Sequence, residues 1–268
     1  MTIQETHDNS DITGHNHLVN ITVLTMVPEQ FDSFLNAPLV RRAMEKDTLN
    51  LIIKDIRDYA GGSFRHIDES PFGGGFGMVM RCEPVFRCLD SLPPEPRHLI
   101  VFTPSGKPYT QKRARELSQL DNLVLLCGHF EGLDQRIIEE ADEEISMGDY
   151  ILSSGEIPAM AVIDSIVRLL AGTLRRESVE EESFENGLLE YPQYTKPRSW
   201  RGKNVPEVLL SGHAENIRRW KLKESLRKTM THRPDLLRNR NFTEEELKLM
   251  EEIRDEEEEL ERDTDQLD

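Results

Sequence analysis

The sequence predicts an α/β domain on a parallel sheet, followed by a small helical domain. Three observations lead there. Compact β-branched runs alternate with helical patterns as far as Leu170, glycine-bearing turns follow those runs directly, and after Gly172 apolar periodicity gives way to dense charge. Strands that alternate with helices pack as a parallel sheet with helices on its faces. LVNITVLTMV (Leu18–Val27) is the first buried strand, and beyond Pro28 a helical pattern runs through Phe31, Phe34 and Leu35. Leu51–Ile56 is a second short strand, and His98–Phe102 and Leu123–Cys127 are continuous apolar runs of strand length. Gln111–Gln119 and Glu131–Ala141 suit helices, as does Pro158–Leu170, where the proline falls in the first turn and its missing N–H costs little. Asn216–Thr231 is helical and basic. Thr243–Leu260 is an acidic helix whose Thr243 N-cap is answered by Glu246 three residues on. The domain boundaries expected are a disordered leader over 1–17, a catalytic α/β domain over 18–172, a linker over 173–204, a helical domain over 205–250 and an acidic tail over 251–268.

Composition narrows the classes. With 268 residues, 37% hydrophobic and 31% charged, the chain has material for a real core. It contains no apolar run of membrane-spanning length, and its polar start lacks the core of a signal peptide. Cys82, Cys88 and Cys127 form neither a disulfide framework nor a metal pair. A cytoplasmic protein without a membrane partner is therefore expected. The net charge of −17 is unevenly spread: residues 196–240 carry 13 bases and 4 acids, whereas 244–268 carry 14 acids and 3 bases. A local excess of that size is the footprint of a nucleic-acid contact, and equally the composition of a solvated helical face.

Small and polar residues gather at the ends of the strands. Thr103-Pro104-Ser105-Gly106 follows the first long strand run, and Gly128-His129-Phe130-Glu131-Gly132 follows the second. Ser146 to Glu156 forms a third such segment, and Gly73 to Gly77 holds four glycines in five positions. Turns at the carboxyl ends of parallel strands are where α/β sheets bind small molecules. None of them is the GxGxxG of a dinucleotide fold or the GxxxxGK[ST] of a phosphate loop. Acid–base candidates are Asp149, Glu131, Glu156, Arg168 and the run Glu180-Glu181-Glu182, each of which also reads as a surface charge or helix cap.

GGGFGMVM (73–80), CGHFEGLDQR (127–136), SMGDYILSSGEIPAM (146–160), IDSIVR (163–168), SFENGLLEYPQYTKP (183–197) and VLLSGHAENIRRW (208–220) closely resemble, in order and spacing, the bacterial tRNA (guanine-N1)-methyltransferase family. The resemblance runs from about Val19 to about Leu249. It implies a SPOUT-type fold with a deep trefoil knot, S-adenosylmethionine held in the knot, and a homodimer whose active sites lie at the subunit interface. The implied reaction is methyl transfer to N1 of the guanosine immediately 3′ of the tRNA anticodon, with Mg²⁺ as a further requirement. The implied cofactor residues are Val101, Phe102, Thr103, Pro104, Ser105, Gly128, Phe130, Glu131, Met147, Gly148, Asp149, Tyr150, Ile151, Leu152, Ser154, Gly155 and Pro158. Arg168 matches the catalytic arginine. Glu182 stands where the family usually has its aspartate base, Ser154 where it has a glycine, and Phe76 where it has proline or alanine. Arg218, Arg219 and Lys221 are expected to hold tRNA phosphates. The alternative is a tRNA-binding protein of the same fold that has lost its chemistry.

Overall fold

The computed structural model describes residues 17–62, 65–170, 173, 183–184 and 186–265. The expected leader falls outside them except for His17. The chain forms two compact units, Met1–Arg175 and Arg176–Asp268.

In the first unit the elements are, in order, β1 (Val19–Thr25), α1 (Asp32–Leu35), α2 (Pro38–Glu45), β2 (Leu49–Asp55), a two-residue pair β3 (Asp68–Glu69) and β4 (Val79–Met80), and α3 (Cys82–Asp90). Then come β5 (His98–Pro108), α4 (Gln111–Leu117), β6 (Asn122–Leu126), α5 (Gln135–Glu140), β7 (Glu143–Ser146) and α6 (Glu156–Leu169). The central sheet has the order β2-β1-β6-β5-β7, and each pairing in it is parallel. Alternate residues feed opposite cores, as the period of a strand requires. Ile100, Leu123, Leu125 and Cys127 pack with Val40, Val162, Ile163 and Ile166 on one face. Leu99, Val101, Val124 and Leu126 pack with Val85, Cys88, Leu89 and Ile137 on the other.

Two expected boundaries move. The helix expected from Glu131 begins only at Gln135, capped by Asp134 accepting from the Arg136 N–H. Residues 127–134 are loop, although Phe130 and Leu133 give that loop the apolar spacing of a helix. The strand expected to stop at Phe102 resumes after an irregularity, with Lys107 and Pro108 pairing against Ile145 and Ser146. Thr103 to Gly106 arch out between the two paired stretches.

The second unit contains β8 (Ser199–Trp200), β9 (Lys203–Asn204), α7 (Glu207–Leu210), α8 (Ala214–His232) and α9 (Glu244–Asp265). Its core is small: Leu188, Leu226, Leu249 and Ile253. The capping box forms as read, with the Thr243 N–H donating to Glu246 at 2.8 Å and the Glu246 N–H donating to the Thr243 hydroxyl at 3.2 Å. Helix α9 continues to Asp265, and Ile253 is wholly buried within it. Glu252 and Glu256 are tolerated there because α8 supplies cations opposite them.

Candidate active site

The loops that leave β5, β6 and β7 converge with the start of α6 around one cavity of about 320 Å³. Its wall combines apolar side chains (Phe102, Pro104, Met147, Ile151, Leu152, Pro158) with loop backbone from Gly128 to Gly132 and from Gly148 to Gly155. Two close approaches give it this form. A Cβ on Gly155 would stand 2.7 Å from the Cys127 Cα and 2.8 Å from the Gly128 nitrogen, where no side chain fits. Without one, the Gly155 N–H reaches the Gly128 carbonyl at 2.9 Å. A Cβ on Gly106 would likewise lie 2.5 Å from the Ile145 carbonyl carbon. The half-buried Ser154 has the room that Gly155 lacks, which explains why serine is accommodated at the first of these two positions.

Glu156 ties three elements together beneath the cavity. It is fully buried in the first turn of α6. Its Oε1 accepts from the Thr25 hydroxyl at 2.5 Å and meets His129 Nε2 at 2.8 Å. Thr25 ends β1 and in turn accepts from the Val27 N–H at 2.9 Å. Burial pushes the Glu156 carboxyl upward, but hydrogen bonds from His129, Ser154 and Thr25 outweigh it and hold the group below its ordinary value. An ionised carboxylate only accepts, so His129 Nε2 is the proton-bearing nitrogen. The free thiol of Cys127, sealed beside this cluster, is pushed well above its ordinary value by burial.

Of the residues implied to hold cofactor, all line this cavity except Val101, Ser105 and Asp149. Val101 faces the second core. The Ser105 hydroxyl is committed to Glu144 Oε2 at 2.9 Å. His129, Gly132, Ile145, Ser146 and Ser153 line the cavity without having been named as cofactor residues, although all but Ile145 sit inside motifs already quoted. Glu131 lies at the mouth, its side chain filling the space a Cβ on Gly77 would need, and its N–H donates to the Met78 carbonyl at 3.0 Å. The four-glycine loop is thereby fastened to the cavity rim. Phe76 in that loop is 98% exposed, so no packing opposes the larger side chain.

Arg168 does not line the cavity. It occupies the last turn of α6, ten residues beyond Pro158, and at the helical rise that is about 15 Å along the axis. Glu180, Glu181 and Glu182 lie outside the described residues. Among the described residues no group of three His, Cys, Asp or Glu side chains could hold a metal ion. No described helix is long and apolar enough to cross a membrane.

All three residues expected to meet phosphate already have partners. Arg218 bonds Glu215 at 2.7 Å and Glu245 at 2.6 Å, and Arg219 bonds Glu252. The Lys221 ammonium sits over the Tyr191 ring, 4.5 Å from its centroid.

A family model described as tRNA (Guanine-1)-methyltransferase TrmD matches residues 19–239. Similar curated proteins carry the name tRNA (guanine-N(1)-)-methyltransferase. That of Dictyoglomus turgidum is 45% identical over 240 residues, covering 89% of this chain and 98% of the relative. That of Streptococcus pyogenes serotype M2 is 46% identical over 238 residues, covering 88% and 97%. That of Moorella thermoacetica is 46% identical over 241 residues, covering 88% and 96%.

Proposed function

The chain belongs to the tRNA (guanine-1)-methyltransferase family, and on that premise we propose that it methylates N1 of the guanosine immediately 3′ of the anticodon in tRNA, with S-adenosylmethionine as donor. The observation that carries this reading is the cavity at the carboxyl ends of parallel strands in a chain matched over almost its whole length. The residues present fit the donor. The cavity falls in the range of small-molecule sites, roughly 300–1,000 Å³, and the Gly155 contact keeps backbone, not side chain, along one wall. Phe102, Pro104, Ile151 and Leu152 offer apolar surface to an adenine ring, loop N–H and C=O groups can read its edge, and the Glu131 carboxylate at the mouth suits a positive sulfonium. The bound donor supplies an electrophilic methyl group.

The protein supplies position and proton management. Guanine N1 loses its hydrogen as it attacks, and negative charge spreads to O6. We assign the proton to the Glu182 carboxylate, a general-base role worth roughly 10²–10⁴-fold. The Arg168 guanidinium is assigned to the charge developing on O6. In-line alignment of N1 with the methyl does much of the rest. Arg168 stands about 15 Å along α6 from Pro158 in the same chain, which supports a homodimer in which a second copy completes each site. The backbone-on-backbone approaches at Gly106 and Gly155 support a knotted SPOUT-type arrangement of these loops. The cytoplasm, where tRNA is matured, is the compartment we assign. The names of the relatives give no support to a binding protein without chemistry.

Single-turnover methyl incorporation into two tRNA transcripts tests the reading. The transcript with guanosine 3′ of the anticodon should be methylated, and the one with adenosine there should not. Equal incorporation into both overturns the substrate assignment. In the same assay Glu182→Gln should lose at least about 10²-fold in rate with donor binding kept. A near-normal rate removes Glu182 from the mechanism.

A further inference from the structure

The C-terminal unit has two basic surfaces, and their charges are in different states. On α8 four cations are already paired with carboxylates. Arg218 and Arg219 are paired as described, Lys223 reaches Glu252 at 3.0 Å and Glu256 at 2.7 Å, and Arg227 reaches Glu256 at 2.5 Å. A phosphate arriving at these four must displace a carboxylate already in place, and the exchange releases little counterion.

The hairpin β8–β9 is different. From Arg198 to Lys203 it carries three cations and no acid. Among the described residues no carboxylate lies within ion-pair distance of Arg198, Arg201 or Lys203. Ser199 pairs with Asn204 and Trp200 with Lys203. The Val205 N–H closes the base of the hairpin on the Arg198 carbonyl at 2.9 Å. Arg201 and Gly202 make the turn with φ of +51° and +79°, the positive values that a two-residue hairpin turn needs. Strand alternation then puts Arg198, Trp200 and Lys203 on one face. Trp200 is 64% exposed, and the Arg201 guanidinium lies 5.6 Å from its ring centroid. A short, register-locked ribbon thus presents an exposed indole flanked by cations that have no carboxylate partner among the described residues.

We propose that this hairpin, and not the basic side of α8, is the RNA-gripping element of the C-terminal unit: Arg198, Arg201 and Lys203 hold phosphates and Trp200 stacks an unpaired base. The inference rests on the tRNA reading above. The partner is single-stranded or looped RNA because an exposed indole between cations matches a splayed base between phosphates. An anionic lipid surface or an acidic protein would leave the stacking face without a use specific to it.

The test uses the full-length protein and a tRNA transcript, with affinity measured across a salt series. Arg198→Ala/Arg201→Ala/Lys203→Ala should weaken binding at least about tenfold and lower the salt slope by about 2, given roughly 0.7–0.9 per lost phosphate contact. Trp200→Ala should weaken binding at least about fivefold, the lower end for one stacked base, with the slope unchanged, and Trp200→Phe should restore most of it. Arg218→Ala/Arg219→Ala should change affinity less than about threefold. The proposal is overturned if the hairpin variants bind like the parent, if the α8 variant carries the larger loss, or if Trp200→Ala acts by changing the oligomeric state. A parent protein that binds no tRNA defeats the underlying reading instead. Far-UV circular dichroism separates a folding defect from a lost contact, and Trp200→Phe keeps the test decisive if Trp200→Ala fails to fold.

Discussion

The carboxylate under the cavity and those along the outside of α8 and α9 meet their partners in opposite settings, and water separates the two. Glu156 is fully buried and its donors, Thr25 and His129, come from distant parts of the sequence. Glu252 and Glu256 stand in solvent, each between two cations of α8. By count of contacts the outer ladder is the larger. By energy it is the smaller, because exposed pairs gain only about 0–1 kcal/mol each and are screened by salt, whereas a buried donor left without its acceptor costs about 1–3 kcal/mol. The inner carboxylate fixes where loops sit; the outer ones settle which cations remain available to a ligand.

The largest effect expected from this contrast is at Glu156. Glu156→Ala strands the Thr25 hydroxyl and the His129 N–H, and should cost about 2–4 kcal/mol in urea unfolding. A loss below about 1 kcal/mol would place Glu156 on a level with the outer pairs and break the contrast. Its pH dependence has a definite sign. Because the folded carboxyl is held below the unfolded value, its contribution is complete above the ordinary value of 4.5 and is lost as pH falls through the folded one. Glu156→Gln should therefore show a flatter acid limb than the parent, and the difference should persist in 1 M salt. The smallest effect belongs to Glu256→Gln. Removing the charge opposite Lys223 and Arg227 should cost about 0.2–1 kcal/mol at low salt, and close to nothing at 1 M. A salt-independent loss would show that the ladder is more sheltered than its exposure indicates.

The strands that feed the cavity were readable because burial on both faces leaves continuous apolar runs, as at His98–Phe102 and Leu123–Cys127. The third strand around the cavity, Glu143–Ser146, was not, since Glu-Glu-Ile-Ser has too little apolar character to stand out. Hairpin β8–β9 was missed for a related reason: two residues per strand give no alternation to detect, and its positive-φ turn begins with arginine. The glycine turns located the cavity, but spacing could not separate Val101, which faces inward to a core, from Phe102, which faces the opening. The partnership of Glu156 with Thr25 spans 131 residues and has no local signature. Nor has the pairing of α8 with α9. Read along the chain, 196–240 is simply basic; folded, much of that charge is answered by residues 27–33 positions away.

The backbone contact beneath Gly155 also bears on how the cavity can vary through descent. Any coding change at that codon adds at least one carbon where the Cys127 and Gly128 backbone leaves no room. Drift is therefore closed at 155 and open next door at Ser154. An inhibitor that rests on this stretch of main chain would press against a surface that point mutation cannot recontour without displacing the loops themselves. Resistance would have to arise from the exposed rim instead, at positions such as Phe76.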